Sequence, residues 1–173
     1  MGKAGSSMAD AMDFSDMTAR AERVAALLKT RGESIVIAES SAGGLIAAAL
    51  LSVPGASAYF LGGLVVYTQK ARLLQLGIGD LPRGMRASTE PYAALLAQTV
   101  RERFAADWSL AESGATGPGG NRYGDASGHC CLAISGKMSM TTTVETGSED
   151  RQANMFAFGV AALDLLEMAL VSA

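Results

Sequence analysis

The sequence predicts a single α/β domain, a three-layer α/β/α sandwich built on a mixed, mostly parallel sheet. Short apolar runs rich in β-branched residues alternate with stretches of helical pattern for most of the 173 residues, which is typical of βα units. The last two predicted strands are separated only by Gly136 and Lys137, so they form an antiparallel hairpin. About half of the residues are apolar (49%) and only 18% are charged, which favours a large buried core.

The first helix is predicted over residues 16–31, because Asp16 can cap its start and Gly32 can end it. Its apolar stripe has the spacing of one helix face and consists of Met17, Ala21, Val24, Leu27 and Leu28. The preceding residues 1–15 are rich in Gly, Ala, Ser and Met, and we expect them to be disordered. The folded domain is therefore expected to cover residues 16–173.

A strand, a tight turn and the start of a helix follow within residues 34–51. Residues 35–38 are apolar and largely β-branched, as in a buried strand, and residues 42–51 favour a helix. Between them, the run Glu-Ser-Ser-Ala-Gly-Gly at 39–44 would direct backbone N–H groups and the positive end of a helix dipole at a ligand. The same residues also fit a purely structural turn, since Ser is a common N-cap and Gly allows close packing.

The middle of the chain predicts one more strand and two helices. The strand lies within residues 58–67, and a short helix over residues 68–74 is closed by Gly77. A longer helix begins at residues 88–91, where Pro91 occupies the first turn, and it runs to about Arg103.

The remainder predicts three strands and a final helix. A short strand over residues 108–112 leads into a Gly-rich loop, the hairpin strands cover residues 129–135 and 138–145, and the helix begins near Asp150. His129 is interpreted as a strand residue rather than a ligand or base, since no second metal-binding residue type lies next to it.

Charge and cysteine content limit the possible partners. The net charge is −3 and no basic stripe occurs, so we expect no nucleic-acid partner. Residues 155–171 are strongly apolar but carry Asp164 and Glu167, which is typical of a packed helix, so no membrane partner is expected either. Cys130 and Cys131 would point to opposite faces of a strand, as core residues of a protein in the reducing cytoplasm. No metal site or cofactor is predicted.

Two Gly-rich loops are predicted to form one site. Residues 39–44 and residues 113–120 each follow a short apolar strand. If these strands are parallel, both loops lie at the same edge of the sheet, where ligands of α/β proteins bind. Glycine-rich backbone can approach an anion closely there. Neither a Walker motif nor a dinucleotide fingerprint is present, and Gly and Pro also mark ordinary turns.

Five motifs occur in order along the chain: Glu-Ser-Ser-Ala-Gly-Gly at 39–44, Val-Pro-Gly-Ala-Ser-Ala-Tyr-Phe at 53–60, Gly-Leu-Val-Val-Tyr at 63–67, Ser-Thr-Glu at 88–90 and Ser-Gly-Ala-Thr-Gly-Pro-Gly-Gly at 113–120. Together they resemble the CinA C-terminal domain family, over residues 18 to about 170. Members of this family include nicotinamide mononucleotide amidohydrolases, which release ammonia and leave nicotinate mononucleotide. The resemblance implies this activity for the chain, with a small nucleotide as substrate.

The resemblance also implies roles for individual residues. Ser40 takes the position of the family's catalytic serine, which would attack the carboxamide, and Tyr67 matches its active-site tyrosine. Arg72 stands where the family has a lysine that works with the serine. Backbone N–H groups near residues 42–44 would stabilise the oxyanion, and the loop at 117–120 would hold part of the nucleotide. The implied substrate-binding residues are Glu39, Ser41, Ala42, Gly43, Gly44, Thr116, Gly117, Gly119, Gly120 and Arg151.

The arginine at position 72 leaves two functions open. A guanidinium stays protonated and cannot take the proton of Ser40, whereas a lysine can. Lys70 lies two residues earlier and is expected to face elsewhere on the helix. The chain is therefore either an amidohydrolase or a catalytically inactive nucleotide-binding protein in which Arg72 pairs with a phosphate. The apolar composition also predicts a homo-oligomer.

Overall fold

The structure is a computed structural model that describes residues 12–173. Its sheet has the strand order β2-β1-β3-β4-β5, in which β1 pairs in parallel with β2 and β3, while β4 and β5 form an antiparallel hairpin. This arrangement confirms the predicted mixed sheet. The elements, in chain order, are α1 (Phe14–Arg31), β1 (Ile35–Glu39), α2 (Leu45–Leu51), β2 (Phe60–Val65), α3 (Gln69–Leu76), α4 (Glu90–Phe104), β3 (Trp108–Ala115), β4 (His129–Ser135), β5 (Met140–Glu145) and α5 (Arg151–Ser172).

The sheet separates two apolar layers, as a three-layer sandwich requires. Helices α1, α2 and α5 cover one face through residues such as Leu28, Ile46 and Phe158. Helix α4 covers the other face together with α3. Cys130 belongs to the first layer and Cys131 to the second, which confirms that the two thiols lie on opposite faces of β4.

Helix α1 begins two residues earlier than predicted. Asp13, not Asp16, is the N-cap, and its carboxylate accepts hydrogen bonds from the backbone N–H groups of Ser15 (2.7 Å) and Asp16 (3.4 Å). The Asp16 carboxylate in turn accepts a hydrogen bond from the Asp13 N–H (2.9 Å), so the pair forms a capping box. Of the segment expected to be disordered, residues 1–11 lie outside the described residues, whereas Phe14 and Ser15 form the first helical turn.

Two boundaries near the predicted site also differ from expectation. Helix α2 begins at Leu45 rather than at residue 42, because Gly44 caps it with a φ of 100° that no other residue type adopts readily. Strand β3 continues to Ala115, three residues beyond its predicted end. Glu112 consequently lies inside a buried strand.

Helix α5 is the helix of the described region that is long and apolar enough to cross a membrane, judged by length and composition alone. Half of its most apolar stretch is buried within the fold. Its polar side forms ion pairs with α1, between Arg20 and Asp164 (2.7 Å) and between Arg23 and Glu167 (2.8 Å). These contacts match the packed helix that the charges of residues 155–171 predict.

Candidate functional site

The carboxyl ends of β1, β2 and β3 meet at one edge of the sheet, and a cavity of about 630 Å³ opens there. A second cavity of about 330 Å³ adjoins it and shares Tyr67, Gly114 and Asn121 with it. Ser40 lines the larger cavity, and the Gly-rich loop after β3 lines the smaller one. The structure therefore brings Ser40, Tyr67 and the Gly-rich loop together around two adjoining cavities.

A buried carboxylate fixes the backbone at Ser40. Glu112 is fully buried in β3 and accepts hydrogen bonds from the N–H groups of Ser40 (2.9 Å) and Ala42 (2.8 Å). It also accepts a bond from the hydroxyl of Ser41. The side-chain hydroxyl of Ser40 has no hydrogen-bond partner within residues 12–173. The turn is thus held rigidly while this hydroxyl stays available to a ligand.

A second carboxylate, that of Glu39, holds the start of α2. It accepts hydrogen bonds from the N–H groups of Gly44 (3.2 Å), Ile46 (2.9 Å) and Ala47 (3.0 Å). Burial raises its pKa to about 7; the hydrogen bonds from Ala47 and Ile46 oppose this shift, and the nearby charge of Glu112 adds to it. Glu39 is fully buried and lines neither cavity, so its observed position is structural, unlike the expected contact with substrate.

The expected oxyanion donors at residues 42–44 are already used inside the protein. The Ala42 N–H donates to Glu112, the Gly43 N–H to the Ser40 carbonyl (3.2 Å) and the Gly44 N–H to Glu39. None of these three residues lines either cavity, which corrects the expectation that they contact substrate. The Ser41 N–H, in contrast, donates to no group in the described part of the chain, and Ser41 lines the smaller cavity.

Tyr67 and Arg151 lie together at the junction of the two cavities. Tyr67 follows β2 and is 59% exposed, and its hydroxyl accepts a long hydrogen bond from the Arg151 guanidinium (3.5 Å). Arg151 also donates to the carbonyl of Gly117 (2.6 Å). Arg151 therefore joins the tyrosine to the Gly-rich loop.

The Gly-rich loop is anchored from below by α5. Asn154 is fully buried, and its amide group donates to the carbonyls of Thr116 (2.9 Å) and Ser148 (2.8 Å). Gly117 has a φ of 100°, and a β-carbon there would collide with the Ser127 side chain. Among the predicted substrate-binding residues, those of this loop line the smaller cavity: Thr116, Gly117, Gly119 and Gly120.

Arg72 and Lys70 occupy different positions from those expected. Arg72 borders the larger cavity but is only 6% exposed, and it donates to the carbonyls of Ile78 (3.2 Å) and Gly79 (2.6 Å). Its guanidinium also lies 5.8 Å from the ring of Tyr92. Lys70 does not face elsewhere: it lines the same cavity as Ser40 and forms no ion pair within residues 12–173.

The profile of the CinA C-terminal domain matches residues 17–170 of this sequence. The chain belongs to the CinA family. CinA-like proteins of Prochlorococcus marinus (strain MIT 9313) and Synechococcus sp. (strain CC9902) are 42% and 35% identical to it, over 123 and 149 residues. These alignments cover 70% and 84% of this chain but 29% and 36% of the relatives. The chain thus spans about a third of the length of the curated relatives it matches.

Solved CinA structures share the fold. The crystal structure of the competence/damage inducible protein CihA from Agrobacterium tumefaciens matches with a TM-score of 0.82 at 29% identity, covering 90% of this chain and 96% of that chain. A CinA superfamily protein from Klebsiella pneumoniae 700603, at 24% identity, matches with a TM-score of 0.84 over 91% and 99% of the two chains. The family resemblance drawn from the five motifs is therefore confirmed.

Several residues in and around the cavities of this CinA-family chain were not predicted as site residues from the sequence. The outer wall is formed by Asn121, Arg122 and Tyr123, and it is tied to the loop before α4 by a two-bonded ion pair between Arg86 and Asp125 (2.6 and 2.9 Å). The signal was present as a polar cluster, Asn-Arg-Tyr-Gly-Asp, directly after the Gly-rich loop. Likewise, a glutamate in an otherwise apolar strand marked position 112 as unusual.

Proposed function

We propose that this CinA-family chain is an amidohydrolase that converts nicotinamide mononucleotide and water to nicotinate mononucleotide and ammonia. The observation that carries the proposal is the convergence of Ser40, Tyr67 and the Gly-rich loop on two adjoining cavities. A hydroxyl on a rigidly held turn, a phenol in the same cavity and loop backbone suited to a nucleotide are groups that amide hydrolysis of such a substrate can use.

In the proposed reaction, the Ser40 oxygen attacks the carboxamide carbon while its proton passes to a base. The tetrahedral intermediate collapses as the C–N bond breaks and the nitrogen leaves with a proton as ammonia, which forms an acyl-enzyme. Water then attacks the same carbon and releases nicotinate mononucleotide and free Ser40. Tyr67 lines the same cavity as Ser40, and its proposed role is to orient the serine or relay the proton.

Lys70 is the proposed base. Arg72 cannot fill this role, because its guanidinium stays protonated and is bound to the carbonyls of Ile78 and Gly79. Lys70 supplies the only amine among the described residues that line the larger cavity. A neutral amine there can accept the Ser40 proton and return it to the leaving nitrogen.

The N–H of Ser41 is the proposed oxyanion donor. It belongs to the residue directly after the nucleophile, a position that serves the same purpose in other serine hydrolases. It donates to no group within residues 12–173, whereas the N–H groups of Ala42, Gly43 and Gly44 all do. Removal of a single oxyanion donor typically lowers kcat about a hundredfold or more.

The test is ammonia release from nicotinamide mononucleotide by the wild type, Ser40→Ala, Lys70→Ala and Lys70→Arg. Wild-type turnover that is lost in Ser40→Ala and in both Lys70 variants supports the proposal. Lys70→Arg is the matched control for charge, since it keeps a cation at this position but cannot accept a proton. Full turnover by Lys70→Arg would exclude Lys70 as the base. If the wild type releases no more ammonia than Ser40→Ala does, the hydrolase function is excluded.

One observation favours a second candidate, a catalytically inactive nucleotide-binding protein. The position of the family lysine is filled by a guanidinium that the fold already uses to bind two backbone carbonyls. Under this alternative, nicotinamide mononucleotide raises the melting temperature of the wild type while no ammonia is released.

For either function, the cytoplasmic location and the homo-oligomeric state of the protein stay predictions.

A further inference from the structure

Ser88 has an unusual backbone conformation at the cavity. Its φ is 57°, and Ala105 is the only other non-glycine residue of the described region with a positive φ. Ser88 is 4% exposed, yet it lines the larger cavity together with Ser40 and Ser113. Non-glycine residues in the left-handed region are strained, and such residues cluster at ligand sites.

Groups from β3 and β4 hold this conformation from both sides. The Ser88 N–H donates to the Ser113 hydroxyl (3.2 Å), and its carbonyl accepts a bond from His129 Nε2 (2.9 Å). His129 Nδ1 lies 2.5 Å from a carboxylate oxygen of Glu145. Because both ring nitrogens face acceptors, the imidazolium form satisfies both bonds. The Ser88 hydroxyl itself has no partner within residues 12–173, so it remains available to a molecule in the cavity.

The wall of the larger cavity carries a positive charge, at Arg122, that forms no ion pair within residues 12–173. The ring of Tyr123 lies between two guanidinium groups, 5.3 Å from Arg86 and 5.1 Å from Arg122. Arg86 is neutralised by its ion pair with Asp125. Arg122 donates only to the Tyr123 hydroxyl (2.9 Å) within the described residues and lines the same cavity as Ser88.

We propose that the Ser88 hydroxyl and the Arg122 guanidinium bind the phosphate of the mononucleotide. This inference rests on the proposed function, because it assigns the anionic end of the same substrate. A hydroxyl and a guanidinium that line the same cavity are donors suited to a phosphate, whose oxygens accept hydrogen bonds and attract positive charge. The bonds to Ser113 and His129 hold the Ser88 backbone in its left-handed conformation, at a position that lines the cavity.

The test compares Ser88→Ala, Ser88→Gly and Arg122→Ala with the wild type, using nicotinamide mononucleotide as substrate and inorganic phosphate as competitor. We expect the KM to rise roughly tenfold in each variant, as the loss of a hydrogen bond to a charged group predicts, with kcat changed less than twofold. The inhibition constant of inorganic phosphate should rise by a similar factor. Ser88→Gly should melt at or above the wild-type temperature, because glycine adopts a positive φ without strain.

Ala105→Gly is the matched control, because it relieves the same kind of backbone strain at the end of α4, at a residue that does not line the cavity. It should keep the wild-type KM. Unchanged KM in the Ser88 variants, a loss confined to kcat, or a wild type that inorganic phosphate does not inhibit would each overturn the phosphate assignment alone. If the wild type binds the mononucleotide without turnover, the same comparison is made with Kd values from calorimetry. A wild type that does not bind it at all overturns this inference and the proposed function together.

Discussion

Replacement of Glu112 by alanine should destabilise the protein strongly, because this carboxylate organises the turn that carries Ser40. It is fully buried, and it receives hydrogen bonds from the N–H groups of Ser40 and Ala42 and from the hydroxyl of Ser41. The Glu112→Ala variant leaves these three donors without their acceptor at the end of the sheet.

The size of the effect follows from these contacts. An unsatisfied buried donor costs about 1–3 kcal/mol, and the two N–H groups cannot turn toward another partner because the turn fixes them. The Ser41 hydroxyl can rotate and recover part of its loss. We therefore expect Glu112→Ala to lower the free energy of unfolding by about 3–5 kcal/mol, a large share of the 5–15 kcal/mol that is typical of a domain.

Glu112→Gln is the matched variant. Its amide oxygen can take the place of the carboxylate oxygen that accepts from Ser40 and Ala42, since both bonds reach the same atom, Oε2. Its NH₂ group then faces the Ser41 hydroxyl, which can reverse its role and accept. The cost should be only about 1 kcal/mol, the difference between a charged and a neutral acceptor.

Urea unfolding followed by the fluorescence of Trp108 measures these differences. This residue is the only tryptophan of the sequence and is fully buried, so its emission should report loss of the core. Glu112→Ala should also lose ammonia release under conditions where it remains folded, because Ser40 is no longer held. A Glu112→Ala variant within 1 kcal/mol of the wild type, or a Glu112→Gln variant equally unstable, would refute this account of the turn.

Three further predictions concern the scaffold of the site. Because burial raises the pKa of Glu39 from 4.5 to about 7, the folded chain keeps a proton that the unfolded chain releases; stability should therefore fall as the pH rises from 4.5 to 7, by about 3 kcal/mol. Urea unfolding across this range should show that slope, and Glu39→Gln should remove most of it. Asn154→Ala should cost about 2 kcal/mol in thermal unfolding and raise the KM for the nucleotide, because the carbonyl of Thr116 in the Gly-rich loop and that of Ser148 before α5 lose their donor. Arg86→Ala should cost less than about 1 kcal/mol, since its ion pair is partly exposed, yet it should raise the KM severalfold by loosening the wall around Tyr123.

The features of the site that depend on local sequence, namely strand ends, turns and helix starts, could be predicted from the sequence. The β-branched run before Ser40, the glycines after it and the Gly-rich loop after β3 fix where strands end and turns begin, and parallel pairing brings those ends together. The helix starts predicted at residues 88–91 and near Asp150 are likewise local signals, and the structure confirms both, with Thr89 and Asp150 as the N-caps.

The remainder depends on contacts between distant positions. Glu112 acts on residues about 70 positions earlier, and no periodicity in its own strand indicates that partner. The left-handed conformation of Ser88 needs groups from two other strands, at Ser113 and His129. Lys70 was expected to face away from Arg72 on the helix, yet both residues border the larger cavity. Spacing along a helix does not show which parts of the fold adjoin its first turn, where Lys70 lies.

Because two buried carboxylates occupy the backbone N–H groups near Ser40, the positive charge that attracts a ligand has to come from other parts of the site. Glu39 and Glu112 take up most of the N–H groups of the turn and of the start of α2, so the positive end of that helix is neutralised internally. Attraction of an anionic ligand must then come from side chains on the rim of the cavities, which are Lys70, Arg122 and Arg151.

The contacts of Arg72 and Lys70 also decide at which of the two positions a substitution tests the identity of the general base. Arg72→Lys restores the residue type of the family, but it removes the bonds to the carbonyls of Ile78 and Gly79 and so loosens the connection after α3. A loss of activity in Arg72→Lys would therefore not distinguish an effect on proton transfer from an effect on the local structure. Substitutions at Lys70 change an exposed side chain without an ion pair in the described region, so their effect on turnover reports proton transfer and charge at the cavity more directly.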